Sequence, residues 1–70
     1  MSDSLTIKTN GEDRQIESGS SLLNLLEALD LDPQTVVVEL NRTIVHRTAF
    51  ADTPLNSGDE VELVHFVGGG

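Results

Sequence analysis

The sequence predicts an α+β fold, a mixed sheet of about five strands covered by one main helix. Three observations predict it. Leu22, Leu25, Leu26 and Leu29 fall at i, i+3, i+4 and i+7, which makes one apolar helical stripe. Alternating or β-branched segments lie on both sides of that stripe, at Leu5 to Lys8, Thr35 to Leu40 and Glu60 to Val67. Turn-forming segments, Asn10-Gly11 and Ser57-Gly58-Asp59, separate the elements.

The first strand, Leu5-Thr6-Ile7-Lys8, alternates apolar and polar residues as a half-buried strand does. Asn10-Gly11 supplies the positive φ angles of a tight hairpin. Glu12 to Glu17 then returns, with Arg14 and Ile16 on one face and Asp13, Gln15 and Glu17 on the other. Ser18-Gly19-Ser20 breaks the pattern and offers a hydroxyl to cap a helix starting near Ser21. That helix is expected to end over Asp30 to Pro33, because proline disfavours helical geometry in the residue before it. In Thr35 to Leu40, an outward Glu39 places Val36, Val38 and Leu40 inward. Asn41-Arg42 reads as a turn into a short strand, Thr43 to Val45. His46 to Leu55 lacks a period and is expected to wrap the edge, anchored by Phe50 and Leu55. Two hairpin strands, a helix and a return strand begin a β-grasp arrangement, in which the last strand lies centrally beside the first. The expected organisation is a β-grasp domain over 1–66 and a flexible glycine tail over 67–70.

Seventy residues leave no room for a second core or an ordinary catalytic cleft. Twelve acidic residues against Lys8, Arg14, Arg42 and Arg47 give a net charge of −8. That surface repels phosphate backbones, so nucleic acid and anionic membranes are poor partners, and a basic protein surface is a good one. The chain has no cysteine, hence no disulfide, thiolate nucleophile or Cys-based metal site. Met1-Ser2-Asp3-Ser4 is not a basic stretch leading into an apolar run, so no export signal is read there and a cytoplasmic location is expected. His46 and His65 are too isolated for a metal site and read as surface or rim residues. Arg14 and Arg47 read as balancing neighbouring carboxylates. No nucleophile–base pair can be assembled, so an enzyme is not expected, nor is a bound cofactor.

The chain stops at Gly68-Gly69-Gly70. At a glycine frequency of about 7%, a terminal triple arises by chance in about three chains in ten thousand. One reading is a frayed terminus. The other is mechanical: without side chains the three residues can pass a narrow channel. The terminal carboxylate, with no Cβ beside it, can then approach a nucleotide α-phosphate. Its attack on ATP would give an acyl-adenylate, from which a sulfur nucleophile could displace AMP and leave a thiocarboxylate. The strand before the tail alternates, so Val61 and Leu63 face the helix while Glu62, Val64 and Phe66 face outward. Val64, Phe66 and Val67 are candidate docking residues. The alternative is that sheet twist buries Phe66 against Phe50 or a neighbouring strand.

The β-grasp order, Val38-Glu39-Leu40-Asn41, Gly58-Asp59-Glu60-Val61-Glu62-Leu63-Val64 and the end Phe66-Val67-Gly68-Gly69-Gly70 together resemble the ThiS family, the sulfur carriers of thiazole synthesis. The resemblance covers almost the whole chain and is most specific in the last thirteen residues. It implies a ubiquitin-like fold and ATP-dependent adenylation of Gly70 by a ubiquitin-activating-enzyme-like adenylyltransferase. It also implies sulfur transfer from a donor protein, and donation to thiazole synthase in thiamine biosynthesis. Gly70 is the residue modified, with Gly68 and Gly69 giving it reach. Many members carry glycine where Arg42 stands and proline where His46 stands, departures that leave the tail untouched. The carrier is expected to be a monomer when alone. Open alternatives are a sulfur carrier for molybdopterin or another metabolite, and a ubiquitin-like modifier or interaction module.

Overall fold

The computed structural model describes residues 3–66. The tail expected over 67–70 lies outside the described residues. Five strands form one sheet in the order β2-β1-β5-β3-β4. They are β1 (Ser4–Thr9), β2 (Glu12–Glu17), β3 (Val36–Leu40), β4 (Thr43–Val45) and β5 (Glu60–His65), with a single helix α1 (Leu22–Ala28) among the described residues. β1 runs antiparallel to β2 and parallel to β5, while β3 is antiparallel to both β4 and β5. The last strand therefore sits at the centre beside the first, as the β-grasp order requires.

The β1–β2 hairpin turns on Asn10 (φ 50°) and Gly11 (φ 84°). Both angles are positive, as a two-residue turn matching strand twist demands. Asn10 also has a second task. Its side-chain amide donates to the Leu63 carbonyl at 3.2 Å, and its Oδ1 accepts from the Leu63 amide at 2.7 Å. The register pairs β1 with β5 only through Lys8–Glu60 and Thr9–Val61. The Asn10 side chain extends that ladder by one step. On the other flank Asn41 accepts from the Glu60 amide at 2.9 Å through Oδ1 and donates to Asp59 at 3.0 Å. Two turn asparagines thus clamp the central strand from both sides.

α1 begins next to Ser21 and stops at Asp30, as expected, but other groups are responsible at both ends. The N-cap is Ser21, not a serine of Ser18 to Ser20. The Ser21 hydroxyl accepts from the Asn24 amide at 3.2 Å, and Asn24 Oδ1 accepts from the Ser21 amide at 2.9 Å, a reciprocal capping box. At the other end Pro33 is not the stop. Leu29 caps the helix, and Asp30 turns left-handed at φ 59°. The Leu31 amide reaches the Leu26 carbonyl at 2.9 Å and the Asp30 amide the Glu27 carbonyl at 3.1 Å. This satisfies the last carbonyls three residues before the proline. Pro33 instead opens a 3₁₀ turn (Pro33–Thr35), capped by the Asp32 carboxylate accepting from the Gln34 amide at 2.9 Å.

The core joins Ile7, Leu22, Leu25, Leu26, Val36, Val38, Phe50, Leu55 and Val61, all buried. Each large apolar side chain so buried contributes about 1.5–3 kcal/mol. Leu29 and Leu23 pack at its margin. The segment without a sequence period contains a 3₁₀ turn over Arg47–Asp52, and Phe50 and Leu55 anchor it as expected. Backbone bonds from Leu22 to Thr53 and from Leu55 to Ser20, each 2.9 Å, tie it to the start of α1.

The β3–β4 turn carries Asn41 at φ 52° and Arg42 at φ 70°. A left-handed residue with a Cβ costs about 1–2 kcal/mol, which glycine avoids. Replacing Arg42 by glycine is expected to stabilise the domain by about 0.5–1 kcal/mol, read as a higher urea midpoint at unchanged m. Asn10→Ala is expected to cost about 2–3 kcal/mol, because the left-handed angle becomes strained and the Leu63 backbone loses both partners. Asn10→Gly removes the strain and should retain roughly half of that loss. An Asn10→Gly urea midpoint equal to that of the wild type would show that the clamp contributes nothing.

Candidate functional site

The sheet has one face under α1 and one open to solvent. Register identifies the open face residue by residue. Lys8 pairs with Asp13 and Glu60, Glu39 with Glu62 and Ile44, and Val37 with Val64. Cross-strand partners share a face, so these side chains form one continuous surface. Phe66 follows Val64 by two residues and takes the same side.

The surface is divided. At the end where β5 leaves the sheet stand four exposed apolar residues: Ile44 at 68% exposure, Val64 at 60%, Phe66 at 44% and Val37 at 40%. Toward the start of β5 stand Glu62, Glu39 and Glu60, with Lys8 and Asp13 beyond. The outward positions expected for Val64 and Phe66 are those observed. Phe66 and Phe50 do line one shallow cleft of about 270 Å³, with Pro33, Val37, Ile44 and Arg47. Phe50 fills the core at 2% exposure while Phe66 keeps nearly half its surface, so the alternative of a buried Phe66 does not hold. The Phe66 amide still donates to the Thr35 carbonyl, at 3.0 Å. The chain is thus tied to the sheet up to this residue. Gly68, Gly69, Gly70 and Val67, singled out from the sequence, lie outside the described residues.

Val37 and Ile44 were not singled out. Alternation along β3 already turns Val37 away from Val36 and Val38, and that signal was available. Ile44 joins the patch only through the three-residue register of β4 on β3, for which a short segment carries little information.

The remaining polar residues have structural tasks. His46 Nδ1 accepts from the Thr48 amide at 3.3 Å and so caps the 3₁₀ turn that follows. His65 Nε2 lies 3.1 Å from the Thr35 hydroxyl. Among the described residues no group of three or more His, Asp and Glu side chains could hold a metal ion. The arginines depart from expectation: the one ion pair among the described residues is Lys8–Asp13 at 3.0 Å. Arg14 stands opposite Ile7 in the hairpin, and Arg47 lines the cleft beside Phe50 and Phe66. Each stands beside apolar residues, and neither forms an ion pair among the described residues. A larger cleft, of about 540 Å³, lies between β2 and α1 and is lined by Arg14, Glu17, Asn24 and Leu25. It lies on the helix side, away from the open face.

A five-stranded mixed sheet with its last strand central, one covering helix and an exposed apolar patch where that strand ends defines a β-grasp domain of the ubiquitin-like kind. Residues 7–70 match the model of the ThiS family, and the chain belongs to that family. It is 32% identical over 65 residues to the sulfur carrier protein ThiS of Bacillus subtilis, covering 91% of this chain and 98% of that one. The crystal structure of the thiamine biosynthesis protein ThiS from Geobacter metallireducens superposes with a TM-score of 0.81 at 33% identity, covering 94% of this chain and all of that one. A thiazole synthase of Magnetococcus marinus is 39% identical over 66 residues, 94% of this chain, which spans only 20% of that protein's length. Among the described residues no helix is long and apolar enough to cross a membrane.

Lys8 titrates above its usual 10.5, first because it donates a hydrogen bond to Asp13 and then through the charges of Asp13 and Glu60. A raised lysine contributes stability that is present below the unfolded value and lost as pH rises through the folded one. Asp13→Asn is expected to bring the Lys8 titration back toward 10.5, observed at the Lys8 Cε resonance. An unchanged midpoint would mean that the pair is not formed in solution.

Proposed function

We propose that this chain is the sulfur carrier of thiamine thiazole synthesis and that its working group is the Gly70 carboxylate. One observation carries the reading: the family match extends through the glycine tail to residue 70. In the proposed cycle a carboxylate oxygen of Gly70 attacks the α-phosphorus of ATP within an adenylating partner and pyrophosphate leaves. Hydrosulfide then adds to the acyl-adenylate, AMP leaves, and a thiocarboxylate remains. If the donor is a protein persulfide, a thiol must reduce the acyl persulfide to release it. The thiocarboxylate gives its sulfur to thiazole synthase. The carrier contributes no base, metal or cofactor to these steps, and ATP is bound by the partner, in the cytoplasm.

The fold supports this division of labour. β5 is held by β1 and Asn10 as far as Leu63 and by β3 and Thr35 as far as Phe66, so the segment that follows starts from a fixed point. Val64, Phe66 and Val67 are the proposed docking residues next to it, with Val37 and Ile44 completing the apolar patch. The thiazole synthase of Magnetococcus marinus, in which a segment similar to this chain is part of a longer protein, supports thiazole synthase as the acceptor.

Incubation with ATP, the cell's adenylating enzyme and a sulfide source is expected to add the mass of one sulfur-for-oxygen exchange, localised to Gly70 by fragmentation. A chain lacking Gly70 should show no such gain. Conjugation to partner lysines would indicate a modifier instead, and unchanged activity without Gly70 would overturn the carrier reading.

A further inference from the structure

Glu39 and Glu62 stand directly opposite each other on β3 and β5, in the middle of the open face. Like charges in this arrangement repel and destabilise the sheet. Neither belongs to an ion pair among the described residues, where the one such pair is Lys8–Asp13. Glu60 differs, since Lys8 stands opposite it. On its other side Glu39 meets Ile44 and not a cation, and it is itself half-buried. A domain of this size has a thin margin of stability. Glutamine at either position would keep the strand and remove the repulsion.

The two carboxylates lie two residues, about 7 Å, from the Val37–Val64 pair, on the side away from the tail. The open face is thus directional along β5: acidic at the centre and apolar at the end where the chain departs. An apolar patch alone fixes contact but not orientation, because burial is non-directional. Charge on one side of it fixes which way β5 lies on a partner, and so where a segment leaving β5 is delivered.

We propose that the open face docks on a partner surface whose apolar patch is bordered by lysine or arginine on the side away from the tail's entry. In that complex Glu39 and Glu62 are the positioning residues. The inference rests on the carrier reading and takes the adenylating enzyme as that partner. The repulsion tolerated in the free domain is relieved when the partner's cations lie over the two carboxylates.

The test compares two double variants with the same change in charge: Glu39→Gln with Glu62→Gln, and Glu12→Gln with Glu27→Gln on the helix side. The open-face pair is expected to raise the thermal midpoint of the isolated domain. It should also raise the carrier's KM in ATP–pyrophosphate exchange by roughly tenfold and flatten its dependence on salt. The helix-side pair should leave KM within about twofold. Equal KM values for the two doubles, with wild type active, would overturn the inference and leave the carrier reading standing. A wild-type chain that is never adenylated would overturn the carrier reading and this inference with it.

Discussion

The structure depends on how the backbone of β5 is satisfied. A strand at the centre of a sheet must find partners for its amides and carbonyls on both edges, since an unpaired buried group costs as much as a lost hydrogen bond. β3 supplies one edge over five register pairs, from Val36–His65 to Leu40–Val61. β1 supplies the other over only two, and ends at the turn. Asn10 bridges the shortfall by offering its side-chain amide where a strand residue would have offered its backbone. Asn41 does the same at the start of β5 through the Glu60 amide. Each asparagine also takes the left-handed conformation its turn needs, so one residue type meets two demands at each site.

This arrangement connects stability to the proposed role. The core stabilises β5 from one side only, through Val61 and Leu63 against the leucines of α1. The opposite face is left open, and its exposed Val37, Ile44, Val64 and Phe66 are more apolar surface than a small soluble domain gains from showing. The same face holds the Glu39–Glu62 opposition. Both features cost the isolated domain and fit a surface covered by a partner during part of a cycle. Clamping β5 while leaving its outer face free makes the strand a rigid base for whatever follows Phe66.

The sequence determined much of this by itself. The leucine stripe, the alternation in β1, β3 and β5 and the Asn10-Gly11 turn gave the element order and most of the core, because burial on one face imposes a period. The outward positions of Val64 and Phe66 were legible too, from the same alternation. Tertiary structure decided the rest. The helix stops at Asp30, inside the expected span, because the left-handed turn there lets the Asp30 and Leu31 amides satisfy the last carbonyls, and a neighbouring proline says nothing of that. The second role of Asn10 depends on Leu63, fifty-three positions away, and no local pattern encodes so distant a hydrogen bond. The meeting of Glu39 with Glu62, and of Ile44 with the apolar patch, is likewise a matter of register. A period tells each strand which face to bury, but only pairing across strands tells its outward residues what they stand beside.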